Sequence, residues 1–345
     1  MHAERMRAPM TATVERGAGR TATRSTAVAI VGALAVLAAA SRLLEPERVA
    51  WLQTFFVIFG SLVVQALPFV LVGALASAAI EVFVPLGTLE RLAELPRPLQ
   101  LPAAGLAGVA FPICECGSVP VARRLAAKGL APSAAVTFML AAPVVNPVVI
   151  ASTFVAFRGR SALWTMVLGR FGIGLLVAIA VGWVIGERSR EQLLRPFPDD
   201  APAEPVALGP PEPRWKAFFV HVGSDFLFMA RFLLLGATLA AIVQTFLPAS
   251  VIDGVARIPV VSLLVMMGLA FVLSLCSESD AFIAASFTPF GPAAQLAFLV
   301  FGPMVDFKLA ALYLGTFKRG FFPTMLVAVA ATTLVATMWV SVIAG

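Results

Sequence analysis

Charged side chains are scarce in this sequence. Only 13% of the 345 residues are Asp, Glu, Lys or Arg, whereas a typical soluble domain contains roughly 25%. Hydrophobic residues make up 60% of the chain. They form several apolar runs of about 20 residues, which is the length that a membrane-spanning helix needs. The shortage of charge excludes an ordinary soluble domain and predicts an all-α polytopic membrane protein embedded in a lipid bilayer.

Cysteine and histidine are also few, with three Cys and two His in the chain. No cysteine lies in a predicted loop, which excludes a disulfide scaffold. The histidines, His2 and His221, are too few for a closed zinc site. The phosphate-binding pattern G-x-x-x-x-G-K-S/T is absent as well, so direct use of ATP by this chain is not supported. We predict no catalytic residue and no cofactor, and we expect that the protein is not an enzyme.

Basic residues outnumber acidic ones, and the formal net charge is +6. They concentrate in the N-terminal tail and in short predicted loops, which is the pattern of the positive-inside rule rather than of a nucleic-acid surface. We therefore predict a multi-pass membrane protein with no nucleic-acid partner; its place in the bacterial inner membrane is implied by the family resemblance described below. Residues 1–24 are predicted to be a disordered basic tail. Residues 25–45 are predicted to be an extra transmembrane helix, although their small residues also fit a signal-peptide cleavage site.

The rest of the chain repeats itself. Residues 67–85 align without gaps with residues 230–248, and residues 131–147 align with residues 291–307. We predict two homologous repeats, 52–186 and 215–345, joined by a soluble linker rich in Pro and charge at 187–214. Together with the N-terminal helix they amount to about eight to nine transmembrane helices.

Such duplication, with interrupted helices in matching places, is typical of secondary transporters. If the interrupted segments are re-entrant hairpins, the two repeats are inverted and the basic loops share one side of the membrane, which is the arrangement that we prefer. If those segments cross the membrane completely, the repeats are parallel.

Dense polar clusters occur where the apolar segments are interrupted. Irregular backbone at membrane depth is stable only where protein or a water-filled cavity receives it, and ionisable groups there commonly mark a substrate or ion pathway. The prolines at the predicted helix breaks are Pro120, Pro143, Pro147 and Pro303. The predicted pathway consists of Cys114, Glu115, Cys116, Asn146, Cys276, Ser277, Glu278, Asp280, Asp306 and Lys308.

A purely structural interpretation is open for each charged residue taken singly, because a buried ion pair also explains a charge in an apolar segment. The partners available nearby are Arg123 or Arg124 for Glu115, and Lys308 or Arg231 for Asp306. The duplication places an acid, a thiol and a helix break together twice, and this favours the pathway for the two clusters jointly.

The cysteines add soft sulfur atoms to these clusters. Thiolates suit soft metal ions and trivalent arsenic, while carboxylates supply hard oxygen ligands. Cys114, Cys116 and Cys276 are therefore candidate transient metal ligands, although Cys-x-Cys is not a structural zinc signature. A dithiol that uses Cys114 and Cys116 for redox chemistry is an alternative.

The chain resembles the family of bacterial predicted permeases that includes the organoarsenical efflux permeases. The resemblance lies in FPICECGSVPV at 111–121, KG at 128–129, PVVNP at 143–147, LCSESDAFIA at 275–284 and AFLVFGPMVD at 297–306. It covers the chain from about residue 55 to the C-terminus. Arsenical exporters of this type share the Cys-x-Cys-Gly-x-x-Pro core but typically carry a small or polar residue where Glu115 stands here. This departure leaves room for a metal cation or another solute.

Together these features predict a secondary transporter that exports a small solute, such as a thiophilic metal(loid) or an organoarsenical, through a central site lined by Cys and carboxylates. Two alternatives remain open at this point. One is a membrane-embedded dithiol oxidoreductase. The other is a membrane subunit that works only with an accessory protein, for which residues 199–213 of the linker would be the docking segment; a homo-oligomer is compatible with either.

Overall fold

The computed structural model describes residues 50–84, 95–111, 113–186, 190–195, 214–246 and 259–344. The predicted basic tail, the predicted N-terminal helix and most of the predicted linker lie outside these residues. The elements of the described part are helices, together with one isolated bridge between Leu194 and Phe317. The helical content confirms the all-α membrane class, while the number of spans and the repeat stay predictions.

Thirteen helices occur within the described residues. In chain order they are α1 Ala50–Phe83, α2 Arg97–Ala107, α3 Glu115–Ala127, α4 Pro132–Val145, α5 Pro147–Ala156, α6 Leu163–Ile185, α7 Arg190–Leu193, α8 Arg214–Phe246, α9 Pro259–Leu273, α10 Asp280–Ser286, α11 Pro292–Phe301, α12 Phe307–Thr316 and α13 Phe321–Ala344.

Five helical stretches are long and apolar enough to cross a membrane: Trp51–Phe83, Pro132–Ala156, Leu163–Ile185, Arg214–Phe246 and Phe321–Val342. Their surfaces carry exposed Val, Leu and Phe side chains, which are stable in contact with lipid. The chain has five Trp, and each is exposed near a helix end. They are Trp51, Trp164, Trp183, Trp215 and Trp339. Amphipathic rings at helix ends form the aromatic belt of a membrane protein.

Helix interruptions are located between α2 and α3, at Asn146, between α9 and α10, and between α11 and α12. Pro147 begins α5, where the missing N–H of proline costs no hydrogen bond, and Pro303 lies between α11 and α12. Pro143 is inside α4, three residues before the break. The backbone at Ser274 has φ of 47°, a left-handed conformation in which α9 cannot continue.

The structure corrects the predicted break at Pro120. This residue lies inside α3, and the interruption comes before Cys114, which is the N-cap of that helix. Because proline has no N–H, Pro120 cannot donate to the carbonyl of Cys116 one turn earlier. Pro120 therefore leaves the helix intact but withdraws one backbone hydrogen bond from its first turns.

The beginning of the predicted soluble linker packs against the helical body. Leu193 and Leu194 are buried, the backbone N–H of Arg195 donates to the carbonyl of Thr316, and the N–H of Lys318 donates to the carbonyl of Leu193. Arg123 adds a hydrogen bond from its guanidinium to the carbonyl of Arg195. Residues 190–195 are thus a docked segment rather than free linker.

Two close backbone contacts hold the long helices against the interrupted ones. A Cβ atom at Gly73 of α1 would meet the backbone of Gly117 in α3, and a Cβ atom at Gly236 of α8 would meet the backbone of Lys308 in α12. Side chains at these positions would separate the helices, so the missing side chain of each glycine sets the packing distance.

We predict that Gly236→Ala destabilises the protein by about 1–3 kcal/mol, because the added methyl group forces α8 away from α12. Gly223→Ala in the same helix is the matched control, since a Cβ atom there has nothing within 4 Å and alanine favours the helix by about 1 kcal/mol. Thermal unfolding of the purified proteins in detergent measures both effects. Equal melting temperatures for the two variants would contradict this account of the contact.

Candidate functional site

The two polar clusters predicted from the sequence lie in one place. The hydroxyl of Ser277 donates a hydrogen bond of 3.0 Å to Oε2 of Glu115, across 162 residues of sequence. Both side chains are buried. The segment between α9 and α10 therefore contacts the first turn of α3 directly, and the two helix interruptions form one common polar centre, which we call the central site.

Lys308 brings the third interrupted segment into the central site. Its Nζ atom lies 3.5 Å from Oε1 of Glu115 and 3.5 Å from Oδ2 of Asp306. The three side chains are at most 1% exposed. Asp306 is also the N-cap of α12, because its Oδ1 accepts the N–H of Leu309 at 2.7 Å. One ammonium group is thus shared between two carboxylates from different segments.

The three cysteines surround this charge cluster. Each is buried and has a free thiol. Cys114 and Cys116 lie at the start of α3, and their thiols are next to each other. The thiol of Cys276 is close enough to Lys308 and Glu115 to interact with their charges. Within the described ranges, no group of three or more His, Cys, Asp or Glu side chains is arranged to hold a metal ion.

Arg170 is a member of the site that the sequence reasoning missed. It lies in α6, is fully buried, and donates to Thr153 Oγ1 at 2.9 Å, to the carbonyl of Ser277 at 3.0 Å and to Oδ2 of Asp280 at 2.8 Å. These bonds tie α5 and α6 to the second interruption. A single arginine within an apolar span is a signal in its own right, and it could have found Arg170.

Two of the predicted residues differ from the rest in their contacts. Glu278 forms no ion pair with another residue in the described part of the chain, and it is the only partly exposed acid beside the buried Glu115, Asp280 and Asp306. The side chain of Asn146 accepts the N–H of Val148 at 2.9 Å and so caps α5. We assign Asn146 a role in stabilising its helix break.

A second polar cluster joins α1, α3 and α8. Arg124 contacts Glu81 at 3.4 Å and Asp225 at 3.2 Å, Asp225 accepts a hydrogen bond from Ser77, and Lys128 reaches Glu81. Asp225 and Glu81 were not among the predicted residues, because their partners are distant in sequence.

These contacts show which of the ion pairs suggested from the sequence for Glu115 and Asp306 are formed. The suggested pair of Glu115 with Arg123 or Arg124 is not formed, since Glu115 contacts Lys308 and Arg124 contacts acids of other helices. The suggested pair of Asp306 with Lys308 is present. The guanidinium of Arg231 instead lies over the rings of Phe228 and Phe232.

The hydrogen-bonding capacity of the central site is incompletely used. Several enclosed polar atoms have no hydrogen-bond partner within the described residues, and they include both donors and acceptors. They are Glu115 Oε1, Arg170 Nε, Glu278 Oε2, Asp280 Oδ1, Asp306 Oδ2 and Lys308 Nζ. Buried polar groups are normally hydrogen-bonded, so this concentration at one place is suited to receiving a polar ligand or water.

Comparison with known proteins finds one matching permease family and relatives that share most of their length with this chain. A family model described as "Predicted permease" matches residues 51–342. The chain is 41% identical to "UPF0718 protein YcgR" of Bacillus subtilis over 266 residues, which are 76% of this chain and 89% of the relative. It is 34% identical to a "Putative two-component membrane permease complex subunit" of Streptococcus mutans over 267 residues, 76% of this chain and 87% of the relative. No solved structure matches significantly.

We predict that Arg170→Met destabilises the folded protein by about 3–5 kcal/mol, because it leaves Asp280 buried without its charge partner. The double variant Arg170→Met/Asp280→Asn should recover most of this loss, since both charges are then removed. Arg231→Met serves as a control in another long helix, and it should cost about 0.5–1 kcal/mol. Chemical unfolding of the purified variants gives the values. If the losses of unfolding free energy in Arg170→Met and Asp280→Asn simply add up in the double variant, the two side chains are not energetically coupled.

Proposed function

The chain belongs to the predicted permease family, and from this membership we propose that it is a secondary transporter of the bacterial inner membrane. It exports a small solute, such as a thiophilic metal(loid) or an organoarsenical, through the central site. The contact between Ser277 and Glu115 is the observation that carries this proposal, because it brings two polar helix breaks together inside an apolar helical body.

The helix order supports an internal duplication. In each half a long helix is followed by two interrupted pairs and a second long helix: α1 to α6 in the first half and α8 to α13 in the second. Asn146 and Asp306 occupy aligned positions, and each caps the helix that follows its break. Broken helices at a repeat interface are the usual place of a substrate site in secondary transporters. In this proposal the repeats are inverted, so that rocking of one against the other alternates access.

The thiols and the charged groups have separate roles in this proposal. Cys114, Cys116 and Cys276 engage the soft centre of the solute, since sulfur is the preferred ligand of such centres. Because no ligand group is preassembled among the described residues, they bind transiently as the site closes, and a permease needs such release. Glu115 and Lys308 supply polar contacts to the rest of the solute.

A partner protein is a second proposal, and it rests on the printed name of the Streptococcus mutans relative as a complex subunit. Here the central site is the same, but transport requires an accessory protein that docks on the linker around residues 199–213. Reconstitution of the purified chain alone into lipid vesicles separates the two versions. Solute accumulation without any added protein supports autonomous transport, and accumulation only after addition of membrane extract supports the partner.

We predict that Cys114→Ser/Cys116→Ser abolishes the protection that the wild-type chain gives to a sensitive bacterial strain lacking its own exporters. Loss of soft ligands should weaken solute binding by at least about 10–100-fold. Growth is measured against methyl- and phenylarsenite and against Cd²⁺, Zn²⁺ and Cu⁺, with membrane levels checked by immunoblot.

Ser152→Ala on α5 is the control, because its hydroxyl bonds only within its own helix, and it should protect as the wild-type chain does. Full protection by the double cysteine variant at normal membrane levels would remove the thiols from the mechanism.

A further inference from the structure

Lys308 occupies an unfavourable position for a lysine. It is buried to 1% exposure inside the helical body, where an ammonium group without a charge partner costs several kcal/mol. It is also the second residue of α12, and the positive end of the helix dipole repels a cation there. The backbone of α8 at Gly236 packs closely against the backbone of Lys308. Packing alone would be better served by an apolar residue, so the charge itself needs an explanation.

The groups around the ammonium supply that explanation. Nζ lies 3.5 Å from one oxygen of Glu115 and 3.5 Å from one oxygen of Asp306. The thiols of Cys116 and Cys276 also interact with it electrostatically, and so does the carboxylate of Glu278. Carboxylates and thiols are ligand types that a divalent ion such as Zn²⁺ or Cd²⁺ accepts, although among the described residues they are not arranged as a metal-binding group. The lysine ammonium stands where such an ion would be attracted.

In the described part of the chain, Lys308 is held in the central site by charge and not by hydrogen bonds of its ammonium group. Nζ forms no hydrogen bond within the described residues, and neither do the facing atoms Glu115 Oε1 and Asp306 Oδ2. The ammonium therefore balances the carboxylates by charge, while donors and acceptors stay available side by side. An uncharged solute with hydroxyl or similar groups can use both kinds, since a hydroxyl both donates and accepts. A free divalent cation, in contrast, is repelled by the positive charge of the ammonium group.

We infer that Lys308 determines specificity in the central site by acting as a tethered cation: it excludes free divalent metal ions and leaves the site to solutes that bind without a net positive charge. The statement about solutes rests on the proposed transport function, whereas the exclusion of metal ions is a property of the purified chain. The thiols alone would bind both metal ions and uncharged thiophilic compounds. Lys308 thus makes the central site discriminate between these two classes of solute.

The test measures Cd²⁺ binding to the purified full chain in detergent. Binding is followed by equilibrium dialysis and by the ultraviolet charge-transfer band of Cd²⁺–thiolate bonds. We expect Lys308→Met to bind one Cd²⁺ per chain at least about 100-fold more tightly than the wild-type chain, because a repulsive charge a few ångströms away is removed. Lys308→Arg keeps the charge and should bind as weakly as the wild type. Lys308→Met/Cys276→Ser should show a weaker band, because one of the two thiols near the ion is removed.

A second variant covers the case in which Lys308→Met does not fold. Lys308→Met/Glu115→Gln removes one negative charge together with the positive one, and Cd²⁺ should still bind to it more tightly than to the wild-type chain. Tight Cd²⁺ binding by the wild-type chain would overturn the inference. So would a folded variant without Lys308 that binds Cd²⁺ no better than the wild type. If Cd²⁺ binds as expected but the strain carrying the wild-type chain gains no protection from any solute, the proposed function fails and the exclusion of metal ions stands.

Discussion

The buried ammonium of Lys308 is the charge on which the organisation of the central site depends. Two carboxylates that share one enclosed space repel each other, and a low-dielectric interior strengthens this repulsion. Lys308 lies between Glu115 and Asp306 and so allows both segments to approach. The close packing of α8 at Gly236 keeps α12, and with it the lysine, at this place. The hydrogen bond from Ser277 to Glu115 then joins the second interruption to the first.

Interrupted helices are the second constraint, because each break exposes backbone groups that lipid cannot satisfy. Here three of the breaks meet at the central site, and side chains at the ends of the interrupted helices satisfy backbone groups. Asn146 and Asp306 cap α5 and α12, and Arg170 donates to the carbonyl of Ser277. The residues that stabilise the breaks and the residues that can meet a solute are therefore in part the same.

The family relationship and the structure support each other at different levels. Membership in the predicted permease family, which covers residues 51–342, assigns membrane transport but no solute. The structure adds a buried polar centre in which Glu115, Lys308 and Asp306 lie together. The second cluster, in which Arg124 contacts Glu81 and Asp225, joins three helices. It shows that the helical body is held by ion pairs outside the central site too.

The sequence by itself determined the membrane class, the two polar motifs and the aligned breaks at Asn146 and Asp306, because apolar runs, prolines and charges within apolar segments are local signals. Only the tertiary structure decided which charges meet. It paired Glu115 with Lys308 rather than with Arg124, placed the first break before Cys114 rather than at Pro120, and added Arg170 and Asp225. Ion pairs across 100 residues or more leave no trace in a single sequence, since their partners are chosen by helix packing and by the need to pair every charge removed from water.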